Sequence, residues 1–128
     1  MELAQYQQYL ETLPFPALLA QAGGEEPLNH KILYLNPAFI QDLGYDLSDI
    51  PDKKHWWSNA YPDPVYQKVV TSQWELESEL ARERGEKNLS METSITNKAG
   101  EEFRYKVLTS VLDPDDDTIY QVFFIKLD

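Results

Sequence analysis

The chain has no cysteine. That absence removes disulfide frameworks, thiolate chemistry and the usual structural zinc sites, which lean on Cys ligands. It makes a reducing, cytoplasmic setting a simpler expectation than a secreted one. No run of about 18 apolar residues occurs, so no segment reads as a membrane-spanning helix. The opening MELAQYQQYLETLP lacks the basic start and apolar middle of a signal peptide. Positive charge is scarce: 11 Lys and Arg stand against 22 Asp and Glu, a net charge of −11. Such a field repels phosphates and anionic lipid, which argues against nucleic acid and membrane surfaces as partners. Its ordinary use is solubility.

What is present fits one domain: 128 residues, without repeats, linkers or low-complexity tracts. Leu3, Tyr6, Leu10 and Leu13 recur at spacings of three and four, which predicts an amphipathic helix over residues 2 to 13, ended by Pro14 and Pro16. The apolar runs FPALLAQAG and KILYL read as short strands, joined by the loop EEPLNH. In NPAFIQDLGY, Asn36 suits the N-cap, Pro37 the first helical position and Gly44 the stop, so a two-turn helix is predicted over 37–43. A capped turn from Asp46 to Ile50 follows, closed by Pro51.

The next stretch, HWWSNAYPDPVY, packs Trp56, Trp57, Tyr61 and Tyr66 into twelve residues with two prolines. It reads as a lead-in whose aromatics close one end of the core. Asp63–Pro64 repeats the Asn36–Pro37 device and opens a long helix to about residue 85. Val65, Val69, Leu76 and Leu80 form one apolar row of that helix, with Tyr66, Val70 and Trp74 beside it. The period then changes to two. NLSMETSITN puts Leu89, Met91, Thr93 and Ile95 on one face, a turn follows at 98–101, and EFRYKVLTSVL does the same with Phe103, Tyr105, Val107, Thr109 and Val111. DPDDD is a second turn, and TIYQVFFIKL is the last strand, apolar on both faces. Two strands, several helices and a three-stranded meander predict an α+β domain with one five-stranded sheet and helices across one face.

The order, and the wording ILYLNPAFIQDLGYDLSDI over 32–50, resembles a PAS domain: a strand ending in Asn, a small helix, a closing Gly-Tyr. WW..AYPDPVY over 56–66 is similar to a variant found in bacterial sensory PAS modules of histidine kinases and diguanylate cyclases. The likeness runs from about residue 12 to 128, and Asp128 falls where such domains pass through an Asp-led motif into a signalling helix. The resemblance implies a five-stranded antiparallel sheet with helices on one face, an N-terminal amphipathic helix (1–13) ahead of the PAS domain (14–128), and a sensory role that relays to an effector domain. It also implies a pocket between sheet and helices. Phe39, Leu43, Trp56, Trp57, Tyr61, Tyr66, Val70 and Trp74 are the expected ligand-binding residues, with core filling as the plainer use of the same aromatics.

Haem-binding PAS domains use an axial His, typically on the long helix. His30 and His55 are the chain's two histidines and neither lies there, so haem is not expected. Cysteinyl-flavin chemistry needs a Cys that is absent, and the cofactor, if any, stays open. Asp113, Asp115 and Asp117 alternate like calcium-loop ligands, yet Thr118 and Phe124 occupy the positions that demand Gly and Glu. No metal is expected. Tyr61, Asp63 and His55 are a weak acid/base set, because Asp63 already serves as a cap, so no catalysis is expected of this chain. An apolar outer sheet face needs cover. Leu3, Tyr6, Leu10, Leu13, Tyr120, Val122 and Phe124 are the expected homodimer contact, with packing of the N-terminal helix on its own sheet as the alternative.

Overall fold

Glu2 opens the first helix with a reciprocal cap: its backbone N–H donates to Gln5 Oε1 at 2.9 Å, and its side chain accepts from the Gln5 backbone. The computed structural model describes residues 2–23, 29–113 and 116–127. The expected turn at 113–117, the loop after Gly23 and Asp128 lie wholly or partly outside them. Four helices are seen among the described residues: α1 (Leu3–Glu11), α2 (Pro37–Leu43), α3 (Lys53–Ala60) and α4 (Pro64–Arg84). The caps of α2 and α4 fall where the Asn-Pro and Asp-Pro pairs predict. Asn36 Oδ1 accepts from Phe39 N at 2.9 Å, and Asp63 Oδ1 accepts from Val65 N at 2.9 Å. Gly44 and Gly85 end them with φ of 81° and 70°.

The stretch expected as a lead-in is instead α3. Asp52 caps it, accepting from His55 N at 3.0 Å and pairing with His55 Nδ1 at 2.7 Å. The helix runs until Tyr61, just ahead of Pro62. Along α4 the two apolar rows part. Val65, Val69 and Leu76 are exposed, whereas Val70 and Trp74 are buried and Tyr66 is half-buried. The inward row carries the aromatic rings, which remove the larger area from water.

The five strands are β1 (Ala17–Gln21), β2 (Lys31–Leu35), β3 (Asn88–Thr96), β4 (Glu102–Asp113) and β5 (Asp116–Lys126). They form one antiparallel sheet in the order β2-β1-β5-β4-β3, so the last strand returns to the middle beside the first. Its inner face packs under α2, α3 and α4, with Leu18, Ile32, Met91, Ile95, Val107, Tyr120, Val122 and Phe124 in that core. Its outer face carries Ala17, Leu19, Leu33 and Phe123 under Tyr6 and Leu10 of α1.

This corrects the expected dimer contact. Tyr6 and Leu10 are buried against the chain's own sheet, and Leu13 is half-buried beside them. Tyr120, Val122 and Phe124 belong to the inner core. The pairing of β5 with β1, where Ala20 meets Tyr120 and Leu18 meets Val122, sets that parity. Leu3, at 38% exposure, is the one member of the set on the surface.

Candidate functional site

The aromatic stretch divides at two adjacent residues. Trp56 turns into the core, 5.4 Å from the Phe124 ring, 5.8 Å from Phe39 and 6.1 Å from Tyr61, centre to centre. Trp57 faces the long helix, 6.2 Å from Trp74. Beneath them lies a cavity of about 30 Å³, walled by the inner faces of β1 and β5, by Met91 and Val107, and by Lys53. Of the eight expected pocket residues, Trp56, Trp57, Tyr61 and Trp74 line it. Phe39, Leu43 and Val70 are buried in the surrounding core, and half-buried Tyr66 packs against that core. The Tyr66 hydroxyl instead accepts from Ser94 N at 2.9 Å, tying α4 to β3.

A volume of that size holds one or two waters. Ligand pockets for drug-sized molecules run to several hundred Å³. A cavity of that size, closed round by the packed rings of Trp56, Tyr61 and Phe124, does not fit a haem or a flavin ring system.

Lys53 is the residue that sequence reasoning missed. It is the first residue of α3, its N–H donates to His30 O at 2.9 Å, and it is 8% exposed. Its Nζ stands 3.9 Å from the centre of the Trp74 ring and 5.6 Å from both Trp57 and Tyr120. Among the described residues it joins no ion pair. Burial pushes its pKa down to about 7, against a smaller upward pull from the Glu75 carboxylate. Magnitudes show why the ring faces do not rescue the charge. A cation over a ring gains about 0.5–2 kcal/mol, while taking an ammonium out of water costs several. The signal available in the sequence was the spacing of Lys53 and Trp57, four apart on one helical face.

The two hydroxyls at the cavity wall are already engaged. Tyr61 and Thr93 share a hydrogen bond of 2.9 Å, and Tyr120 and His30 Nδ1 share one of 2.6 Å. Burial raises the pKa of both tyrosines. Trp74 and Tyr120 also form the wall of a neighbouring cleft of about 320 Å³, whose rim carries His30, Arg82, Glu86 and Lys87. Thr109 Oγ1 is buried in that cleft's lining without a partner among the described residues. The arrangement offers a small apolar chamber with an amine that joins no ion pair among the described residues, separated from a wetter cleft by two aromatic rings.

No protein-family model matches the sequence, and no curated protein matches it. Solved structures do. The chain superposes on a domain of the sensory box sensor histidine kinase/response regulator from Geobacter sulfurreducens at TM-score 0.61 and 20% identity, covering 95% of this chain and 91% of that one. It matches the PAS domain of an HTR-like protein from Haloarcula marismortui at TM-score 0.62 and 14% identity, covering 97% and 90%. It matches the Rhodobacter sphaeroides LOV protein at TM-score 0.67 and 13% identity, covering 99% of this chain and 69% of that one. At these identities the likeness is one of fold. The chain has the PAS/LOV fold, with the expected five-stranded antiparallel sheet and N-terminal helix.

Proposed function

We propose that this chain is a sensory PAS module with no catalysis of its own. It takes up a small molecule in the inner cavity and passes a change of packing to a neighbouring effector domain of histidine kinase or diguanylate cyclase type. The observation that carries the reading is Lys53. A buried amine with no ion-pair partner among the described residues is costly, and such groups concentrate at functional sites. The shared fold with a sensor histidine kinase domain supports the signalling half.

The route for the change is β5. Tyr120, Val122 and Phe124 face the cavity, while Phe123 on the same strand faces outward, its ring centre 5.5 Å from that of Phe15 and packed with the α1 cluster. A molecule that moves Tyr120, directly or through the Trp74 ring 6.4 Å away, therefore acts on a strand that also packs against the N-terminal helix. The shift requires a ligand with different affinity for the two packings. The working form in this reading is a homodimer. Leu13, Leu33 and Phe123, half-buried on the outer face beside α1, support it.

The small free volume favours a rival, a ligand-free dimerisation module. One experiment separates the two. Methyl-labelled protein is titrated with small alcohols, aldehydes and carboxylates of two to four carbons. Binding shifts the methyls of Ile32, Met91, Val107 and Val122 together in the wild type. If no compound moves them, the sensing role falls and the packing module stands.

A further inference from the structure

The chemistry of the cavity points to a class of ligand, an inference that rests on the sensory reading above. We propose that Lys53 is a covalent capture site for small aldehydes or ketones, which it holds as a reversible imine between the rings of Trp57, Trp74 and Tyr120.

Three observations carry it. First, the amine is buried in an apolar chamber without a carboxylate partner among the described residues. Desolvation of this kind is how lysine becomes nucleophilic toward carbonyl carbon, and its pKa of about 7 agrees. Second, the hydroxyls that might bind a second ligand oxygen are taken, Tyr61 by Thr93 and Tyr120 by His30. A carboxylate would keep two oxygens and find no further donor there, whereas a carbonyl has a single oxygen, and it leaves. Third, the ring faces of Trp57, Trp74 and Tyr120 around Nζ give an apolar wall that suits a neutral imine in the same place. The free volume, about 30 Å³, limits the guest to a few heavy atoms.

The step balances without an oxidant or reductant. The Lys53 Nζ lone pair attacks the carbonyl carbon, and the C–N bond forms as the π pair moves to oxygen. A proton passes from nitrogen to that oxygen, giving the carbinolamine. The C–O bond then breaks with a second proton, water leaves, and the C=N bond closes. Amine plus aldehyde gives imine plus one water, and a proton taken up gives the iminium. Trp74 and Tyr120 wall the chamber off from the open cleft, so a guest that enters from that side displaces one of these rings.

The test uses the full chain with propanal and cyanoborohydride, which fixes an imine as a propyl amine, followed by peptide mapping. At pH 7, Lys53 labels faster than its exposed neighbour Lys54 by about tenfold or more, since exposed lysines are protonated. The ratio falls as pH rises toward 10. Lys53→Met loses the label at this site and stays folded, because methionine fills the same space without a charge and forms no imine. Label spread over exposed lysines with Lys53 spared overturns the proposal. 1-Propanol, which cannot form an imine, keeps the two readings apart. If it moves the cavity methyls while propanal leaves Lys53 unlabelled, the sensing site stands and the imine falls. If neither compound acts, the imine falls, and the sensing role falls with it when the other alcohols, aldehydes and carboxylates of the series also leave the methyls unmoved.

Discussion

The Nζ of Lys53 stands 3.9 Å from the centre of the Trp74 ring, and the Glu75 carboxylate one residue further along α4 exerts a small upward pull on its pKa. His30 and Tyr120 flank the same corner and are bonded to each other. The folded chain holds Lys53 near 7, below its ordinary 10.5. Between those values the unfolded chain binds the proton that the folded chain releases, so stability rises with pH across that window. The penalty is whole below pH 7 and gone above 10.5. Above about 10 the trend reverses, because unfolded tyrosines ionise while buried Tyr61 and Tyr120 resist. Lys53→Met removes the rise and stabilises the protein at pH 6 by roughly a few kcal/mol. Urea unfolding of both proteins at pH 6, 7, 8 and 9 checks this, and parallel pH profiles would refute it.

Asn36 is the knot of the fold. Its Oδ1 accepts from Ala17 N and Phe39 N, both at 2.9 Å, and its Nδ2 donates to Leu10 O at 3.0 Å and Phe15 O at 3.1 Å. One fully buried side chain thus joins α1, the segment entering β1, and α2. Asn36→Ala strands several buried groups and costs about 3–5 kcal/mol. Asn36→Asp keeps the two acceptor bonds, loses both donated ones and buries a charge, so it does no better. The denaturation midpoints of the two variants decide.

Leu10→Glu is a stability mutation. Leu10 is 1% exposed and packs against the chain's own sheet, so Leu10→Ala costs about 2–4 kcal/mol, and Glu costs more. Leu3→Glu, on an exposed position of the same helix, stays within about 0.5 kcal/mol. A dimer resting on that surface shows itself in Leu3→Glu as a lower sedimentation mass with unchanged monomer stability.

Gly44 holds the junction between α2 and the β3–β4 hairpin. Its φ is 81°, a Cβ there would stand 3.0 Å from Lys98 Cβ, and Lys98 N donates to Leu43 O at 2.9 Å. Gly44→Ala combines left-handed strain with that close approach and costs about 1–3 kcal/mol. Gly85→Ala, with similar φ and open space, loses the conformational part alone. Thermal melts of the pair separate the two contributions.

How far the sequence was legible depends on whether local chemistry or pairing decides. α2 was legible to the residue because Asn36, Pro37 and Gly44 each carry a backbone requirement. β3 and β4 were legible because one parity is apolar. In β5 both parities are apolar, so Tyr120, Val122 and Phe124 were assigned outward until the β1 pairing fixed them inward. α3 was hidden by its Trp and His residues and by the prolines around it, and its Asp52 cap went unread. Half of the residues expected in the pocket line the cavity, all of them aromatic. Lys53 was not, because a lysine reads as surface unless the fold is known to close over it.

The central claim is that Lys53 is a cavity amine, without an ion-pair partner among the described residues, poised near neutrality, and its titration measures this directly. With lysine labelled at Cε, the Lys53 signal is assigned by its loss in Lys53→Met and followed from pH 5 to 11. A midpoint at about 7, far from the exposed lysines, is the predicted result. A midpoint that stays beside theirs at about 10.5 would mean that the ammonium is solvated or paired, and would contradict the account of this cavity as a sensing site.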